Sequence, residues 1–420
     1  MQAQFYLENR ERLARMMEPS SVMLIFSGEE VRKTNDEHYP FYADRNFVYL
    51  TGLDCKEAIL MLIKGDGGDV QERLYILPED RMAERWTGRR IHPGEARERS
   101  GVQDIRYTTA FPKEIHGLLA GGHFYLKKGT YEHLYLDVYR AEPGDRDRPA
   151  HRFLKMVQTD YPYLRIENAN AMIRKLRLIK APCEIEAVRK AEIITRDGIL
   201  AMMRASRPGM WEYQYKAEFD RALLQYGPEG PGFPSIISAG ENNFCIHYYS
   251  YTGQARDGDM VLNDVGAQWD YHTTDVSRGW PCNGKFSGRQ KLLFECALAT
   301  SNHMFSIIRP GMRMADVDRL ARAYNAERLV EAGVMKNVDE VGTYMWHAGA
   351  HHVGFDVHDV VETPELIAPN MIFCVDIGIY HEAWGIGFRI EDNCLVTEDG
   401  CENLSAMIPR TVEDIEAAMA

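Results

Sequence analysis

MVLNDVGA at 260–267 and MIFCVDIGI at 371–379 share one pattern, an apolar strand-like run that carries Asp, a branched residue and Gly. The surroundings of the two runs match as well. Ile246-His247 stands 17 residues before Asp264, and Val357-His358 stands 18 residues before Asp376. Farther upstream, Arg207-Pro208-Gly209-Met210 and Arg309-Pro310-Gly311-Met312 each close one helical pattern and precede another, which stop at Gly227 and Gly333. Met210 to Met312 is 102 residues, His247 to His358 is 111, and Asp264 to Asp376 is 112. One such match is chance. The ordered set predicts a duplicated α/β unit. Two alike halves packed about a pseudo-two-fold axis would bring Asp264 to Asp376 and His247 to His358.

Each half adds a second carboxylate. Asp275, in YHTTDVSRG, lies 11 residues past Asp264; Glu391, in GFRIEDNCLV, lies 15 past Asp376. Strand-turn-strand hairpins of these lengths would return the second carboxylate beside the first. Four converging carboxylates repel unless protonated or bound to cations, so the pattern predicts divalent metal. Taken singly, each has a plainer reading. An Asp after a strand is commonly a turn former or helix cap, Asp275 suits a hairpin, and Glu391-Asp392-Asn393 suits a polar turn. Their placement on paired repeat positions favours metal. Four histidines (347, 351, 352 and 358) crowd WHAGAHHVGFDVHDV. A lone histidine in an apolar segment is usually hydrogen-bonded core, but a cluster beside the repeated strand favours a site. His351 aligns with Gly240 in the first repeat, so its imidazole has no twin. One ion would then have a nitrogen ligand and the other only oxygen, a set that suits manganese, iron(II) or cobalt better than structural zinc.

The 420 residues are long for one core, and the texture changes near 172. Before that point, SSVMLIFSG, RNFVYLTG, AILMLIK, RLYILP and HLYLDVY read as strands of an α/β domain. A Gly-rich turn at 121–122 precedes HLYLDVY, and AEPGDRDRPAHR at 141–152 reads as a loop. After it, a long amphipathic helix begins at Pro182. Net charge is −13 with no dense basic run, which excludes nucleic acid as the expected partner. No run approaches the roughly 18 apolar residues of a membrane span, and the N-terminus lacks a signal-peptide core. Eight scattered cysteines without CxxC read as reduced, packed thiols. The default expectation is a cytoplasmic protein that binds neither membrane nor nucleic acid.

At these residues the sequence resembles the pita-bread metallopeptidases, and among them the aminopeptidase P and prolidase group. The motifs are Asp264 with Asp275, His351-x-x-Gly354-Phe355-Asp356-Val357-His358, and Arg389-Ile390-Glu391-Asp392. The resemblance covers about 175–408, and extends faintly to Arg45–Gly52 and to Trp86-Thr87-Gly88-Arg89-Arg90. It implies an α/β fold in which a smaller N-terminal α/β domain (1–172) precedes a pita-bread domain with a pseudo-two-fold repeat (173–420). It implies hydrolysis of the bond preceding proline, releasing the N-terminal residue from peptides with proline at the second position. Two divalent ions are implied, Mn(2+) foremost, with Co(2+), Fe(2+) or Zn(2+) as alternatives. Asp264 would hold one ion, Asp275 and Glu391 would bridge both, and His351 with Asp376 would hold the second. Asp376 would double as general base. His247 and His358 would stabilise the oxyanion, His347 would hold substrate near the prolyl residue, and Arg389 would orient the carboxylates. Trp86 resembles a tryptophan that reaches a neighbouring subunit's site in aminopeptidase P oligomers, so a homodimer or higher homo-oligomer is expected. His352 receives no role.

Two departures from the family stand out. Active relatives carry Glu-Pro-Gly where this chain has Asp376-Ile377-Gly378, one methylene shorter. No basic residue lies between His358 and Asp376, where relatives often place one against the substrate. The sequence leaves open a prolidase confined to Xaa-Pro dipeptides, or a pita-bread binding protein without turnover. Four of five ligands kept, and a carboxylate at the fifth, favour the enzyme.

Overall fold

The computed structural model of the chain describes residues 1–120, 131–362 and 365–420; the turn expected at 121–122 lies outside them. Contacts divide the chain into two units, Met1–Leu176 and Arg177–Ala420.

In the first unit, β1 (Ser21–Phe26), β2 (Ile59–Lys64), β3 (Val70–Ile76), β4 (Asp104–Tyr107), β5 (His133–Leu136) and β6 (Arg165–Asn168) form one sheet in the order β4-β3-β2-β1-β5-β6. The middle of the sheet, β1 to β3, is antiparallel, while β4 on one side and β5 and β6 on the other add in parallel. β1 and β2 are continuous apolar runs buried along almost their whole length, as central strands require. Two expectations are corrected. RNFVYLTG is not a strand: Arg45–Thr51 is a helix with every residue buried. An apolar run buried on all sides carries no periodicity to separate helix from strand. Its ends decide: the Asp44 carboxylate accepts from the amides of Asn46 and Phe47, and Gly52 stops the helix at φ 67°. The segment 141–152 is a loop only to Arg148, because Pro149 occupies the first turn of a helix over Pro149–Asp160.

The second unit contains β7 (Ile236–Ala239), β8 (Met260–Val265), β9 (Gln268–Trp269), β10 (His272–Thr273), β11 (Val276–Pro281), β12 (Ile372–His381), β13 (Ile386–Val396) and β14 (Cys401–Asn403). They form the sheets β11-β8-β7 and β12-β13-β14, with β9 and β10 a short hairpin between β8 and β11. Asp270 and Tyr271, at φ 48° and 67°, make the tip of that hairpin, the signature of a type I′ turn.

The internal repeat holds down to single hydrogen bonds. Helices Pro182–Ala205 and Glu212–Leu223 precede the first sheet, and Gly288–Ile307 and Met314–Glu331 precede the second. Between the helices of each pair the RPGM glycine is left-handed, φ 86° at Gly209 and 85° at Gly311. The Gly209 amide donates to Ala255 O (2.7 Å) and Ala255 N–H to Met210 O (2.9 Å). In the second half Gly311 donates to Ile367 O (2.9 Å) and Ile367 to Met312 O (2.8 Å). One buried cluster takes side chains from both halves, Val261 and Val265 of β8 and Phe373, Val375 and Ile377 of β12 among them. Alternation along β12 then leaves Cys374, Asp376, Gly378 and Tyr380 on its other face.

Candidate active site

The two hairpins deliver the carboxylates differently. Asp376 lies directly opposite Glu391 across β12 and β13, whereas Asp264 lies opposite Ser277 of β11, with Asp275 just before that strand. Ligand atoms of Asp264, Asp275 and Glu391 come within 4.8 Å of one another. Those of Asp275, His351 and His358 do the same, as do those of His351, Cys374 and Glu391. Asp275 and Glu391 thus each belong to a carboxylate set and to a histidine set. Asp376 joins none of the three; its Oδ2 lies 3.0 Å from Nδ1 of His347.

Burial shapes the charges. It pushes Asp275 and Glu391 well above the usual carboxylate range, and the neighbouring carboxylates push them further. Asp376 goes the other way: burial would raise it, but the His347 imidazole and then Arg389 hold it below its ordinary value. His347 is raised, because the Asp376 carboxylate outweighs the cost of burying its charge. His351 is pushed down to about 4 by burial and by His358, which keeps its imidazole neutral and able to ligate. The His351 and His358 rings are 4.1 Å apart, and both His358 and His247 are exposed.

The surrounding polar groups fix these side chains. Arg389 donates from Nη2 to Asp264 Oδ2 (2.8 Å) and from Nη1 to Tyr380 Oη (2.9 Å), and Tyr380 Oη lies 3.1 Å from His347 Nε2. Ser277 Oγ donates to Glu391 Oε2 (2.8 Å), and Arg278 binds the Glu391 carbonyl (2.8 Å). Asn393 reaches both Glu192 Oε1 (2.7 Å) and the Asp275 carbonyl (2.9 Å). A Cβ at Gly378 would collide with His347 Nε2, so this close approach requires glycine.

Whether the set fits metal can be tested on its unpaired atoms. Among the described residues, Asp264 Oδ1, Asp275 Oδ1, Asp376 Oδ1 and Glu391 Oε1 are buried without a hydrogen-bond partner. A native interior seldom tolerates one such oxygen, and four together are answered by cations. Three carboxylates with a neutral imidazole beside them form a donor set for divalent ions.

The loop that carries His351 and His358 is closed by buried charge. Asp359 is bound by Arg177 and by Lys180 (3.0 Å), and Asp356 by Arg177 (2.8 Å). Burial alone would raise Asp359, yet Arg177 and Lys180 hold it down at about 2. Asp359→Ala would strand the buried Lys180 ammonium and leave Arg177 with Asp356, so a loss of about 3–5 kcal/mol in stability is expected. The urea midpoint measures it. An unchanged midpoint would show that the loop is held by something else.

Most residues singled out in the sequence meet here: Asp264, Asp275, His351, His358 and Glu391 in the clusters, with His347, Asp376 and Arg389 around them. Trp86 belongs to the first unit, in a helix (Arg81–Thr87) without buried residues, and is 84% exposed. His352 is buried against Phe373. Sequence reasoning missed Cys374, Tyr380 and Ser277. The first two were within reach, since alternation from Asp376 along β12 places both on its face.

With this geometry, the chain belongs to metallopeptidase family M24, whose model matches residues 186–398; a model of the aminopeptidase P N-terminal domain matches 6–125. Among its relatives, Xaa-Pro aminopeptidase of Escherichia coli is 31% identical over 99% of this chain and 97% of its own length. A Bacillus anthracis structure described as a candidate aminopeptidase P superposes with a TM-score of 0.95 at 35% identity, covering 100% of this chain and 98% of that one. Zinc-substituted E. coli aminopeptidase P in complex with product gives 0.89 at 29% identity, covering 100% and 98%. The pita-bread fold expected from the sequence is therefore the fold of the protein, and the second unit is a metallopeptidase unit.

Proposed function

We propose that the protein hydrolyses the bond preceding proline, releasing the N-terminal residue from Xaa-Pro peptides, with two divalent ions held by Asp264, Asp275, His351, Asp376 and Glu391. The observation that carries this reading is the group of buried carboxylates around His351, each with an oxygen left unpaired. Asp275 and Glu391, which belong to both sets, suit the bridging role. Bound ions would lower the pKa of the attacking water and polarise the scissile carbonyl. The chain's own groups do the rest. Asp376, kept ionised by His347, takes the water's proton at Oδ1 and passes it to the departing prolyl nitrogen. His247 and His358 donate to the developing oxyanion. His347, braced by Tyr380, positions the prolyl end of the substrate.

The oxygen-rich Asp264–Asp275 side favours manganese there. Eight free cysteines fit the reducing, cytoplasmic setting expected from the sequence. No helix of the described residues is long and apolar enough to cross a membrane. The exposure of Trp86 suits contact with a second copy in a homo-oligomer. Residues 1–172 would serve that assembly and 173–420 the chemistry.

The test is elemental analysis of manganese-reconstituted, desalted protein alongside hydrolysis of Xaa-Pro dipeptides and longer peptides. About two ions per chain and release of the N-terminal residue are expected; a metal content near zero sinks the reading. His247→Ala and His358→Ala should each lower kcat by roughly 10²–10³-fold with metal content unchanged. His351→Ala should lose metal instead. Wild-type turnover in all three variants would overturn these roles.

A further inference from the structure

We propose that the Cys374 thiolate is a ligand of the ion on the His351 side, which makes that position select a softer metal than its neighbour. This rests on the dinuclear reading above and goes beyond it.

Cys374 sits two residues before Asp376 on the same face of β12 and is completely buried. Its Sγ, a ring nitrogen of His351 and a carboxylate oxygen of Glu391 lie within 4.8 Å of one another. Typical zinc–ligand bonds of about 2.0–2.3 Å at tetrahedral angles place ligand atoms about 3.4–3.6 Å apart, so the triad would close by up to about an ångström on binding. A second feature points to a ligand here. Glu391, 2% exposed, holds Oε1 3.7 Å from Nε2 of His351 with no hydrogen-bond partner. Asp376 leaves room for a further ligand here, because its Oδ2 is already paired with His347 at 3.0 Å and only Oδ1 is left to the ion.

The backbone treats the sulfur as an acceptor. The His351 amide donates to Cys374 Sγ (3.4 Å), while the Cys374 amide donates back to the His351 carbonyl (2.9 Å). That reciprocal pair ties the two ligands to one another and presents a donor to a thiolate. On binding, the Sγ–H bond breaks, its proton leaves to solvent and the sulfur's electron pair forms the bond to metal; nothing is oxidised or reduced. The His351 side becomes a nitrogen, sulfur and oxygen set, suited to zinc or cobalt, beside the oxygen-ligated position of Asp264.

The experiment strips the full-length protein with chelator, reloads it with cobalt(II), and records metal content and the near-ultraviolet absorption. Wild type should bind two ions per chain and show a thiolate-to-cobalt charge-transfer band. Cys374→Ser should lose the band, keep the oxygen-side ion and hold the other at least about tenfold more weakly. Cys394→Ser and Cys401→Ser, which change the nearby thiols, should keep the band. Two bound ions without a band in wild type, or a band that survives in Cys374→Ser, overturns the proposal alone. Absence of any bound ion overturns it together with the dinuclear reading. The wild-type spectrum and the two neighbouring variants still decide the matter should Cys374→Ser fail to fold.

Discussion

Glu391→Ala should hold at most one divalent ion and hydrolyse Xaa-Pro peptides no faster than buffer. Glu391 belongs both to the Asp264–Asp275 set and to the His351–Cys374 set, so its loss strips a ligand from each. Neighbours cannot fill the gap, because the Glu391 carboxylate is fixed from behind by Ser277 and its backbone by Arg278. The chelated protein tests the same residue without any turnover. In the folded chain Asp275 and Glu391 are raised, so the folded state holds protons that the unfolded chain releases from about pH 4 upward. Stability of the metal-free protein should therefore fall as pH rises above the ordinary carboxylate range, until the folded carboxyls themselves ionise. Asp376, lowered in the folded chain, contributes with the opposite sign: its stabilisation is complete above the ordinary carboxylate value and is lost on acidification. Across neutral pH Asp376 no longer titrates, and His351, lowered to about 4, opposes the decline only up to the ordinary imidazole value, so the fall due to Asp275 and Glu391 should stand clear above about pH 6.5. Calorimetry should show that decline in chelated wild type, a shallower one in Glu391→Gln, and none in metal-loaded protein. Two retained ions with wild-type turnover in Glu391→Ala would remove Glu391 from the bridging position.

The repeat was legible because it is written in residues that make equivalent backbone bonds. The RPGM turns fix the same left-handed glycine and the same pair of hydrogen bonds in both halves. The polar-turn reading of Glu391-Asp392-Asn393 failed for a reason that lies outside the local sequence. All three sit in the middle of β13, where every residue is buried, and each has a distant partner. Asp392 is paired with Arg278 (2.6 Å) and Arg410 (3.0 Å), and Asn393 with Glu192. Nor could local sequence orient Asp376. Its attachment to His347 depends on the helix Met314–Glu331, where Asp318 accepts from the Gly349 amide (2.7 Å) and Arg322 binds the carbonyls of Met345 (3.0 Å) and His347. Periodicity was the signal left unused. Counting along β12 in steps of two from Asp376 finds Cys374 and Tyr380, the thiol beside His351 and Glu391 and the phenol that joins His347 to Arg389.

Asp376→Ala is expected to lower turnover by the 10²–10⁴-fold that a positioned acid or base contributes, about 10⁴ if the His347 pair acts as one unit. A glutamate at this position would reach about 1.5 Å farther, one C–C bond, whereas ligation tolerates an error of only about 0.2 Å. Asp376 lies opposite Glu391 in an unbroken ladder and turns its Oδ2 to His347. As the proposed base it offers a carboxylate held below its ordinary value, with an Oδ1 that has no hydrogen-bond partner. Asp376→Asn keeps the volume and removes the charge, and should fail almost as badly as alanine while holding the His351-side ion more weakly. Asp376→Glu adds a methylene to a buried site, which costs about 1–3 kcal/mol where packing cannot yield. The added length pushes against His347, which already closes on Gly378 and Tyr380. Glutamate should thus bind metal at least as tightly as wild type yet turn over more slowly, with activity between wild type and alanine. A double-mutant cycle with His347→Ala separates the roles: if the pair works as a unit, the double variant loses no more than Asp376→Ala alone. Wild-type turnover and metal content in Asp376→Ala would show that Asp376 is neither base nor ligand, and the general base would have to be sought among His247, His347 and His358.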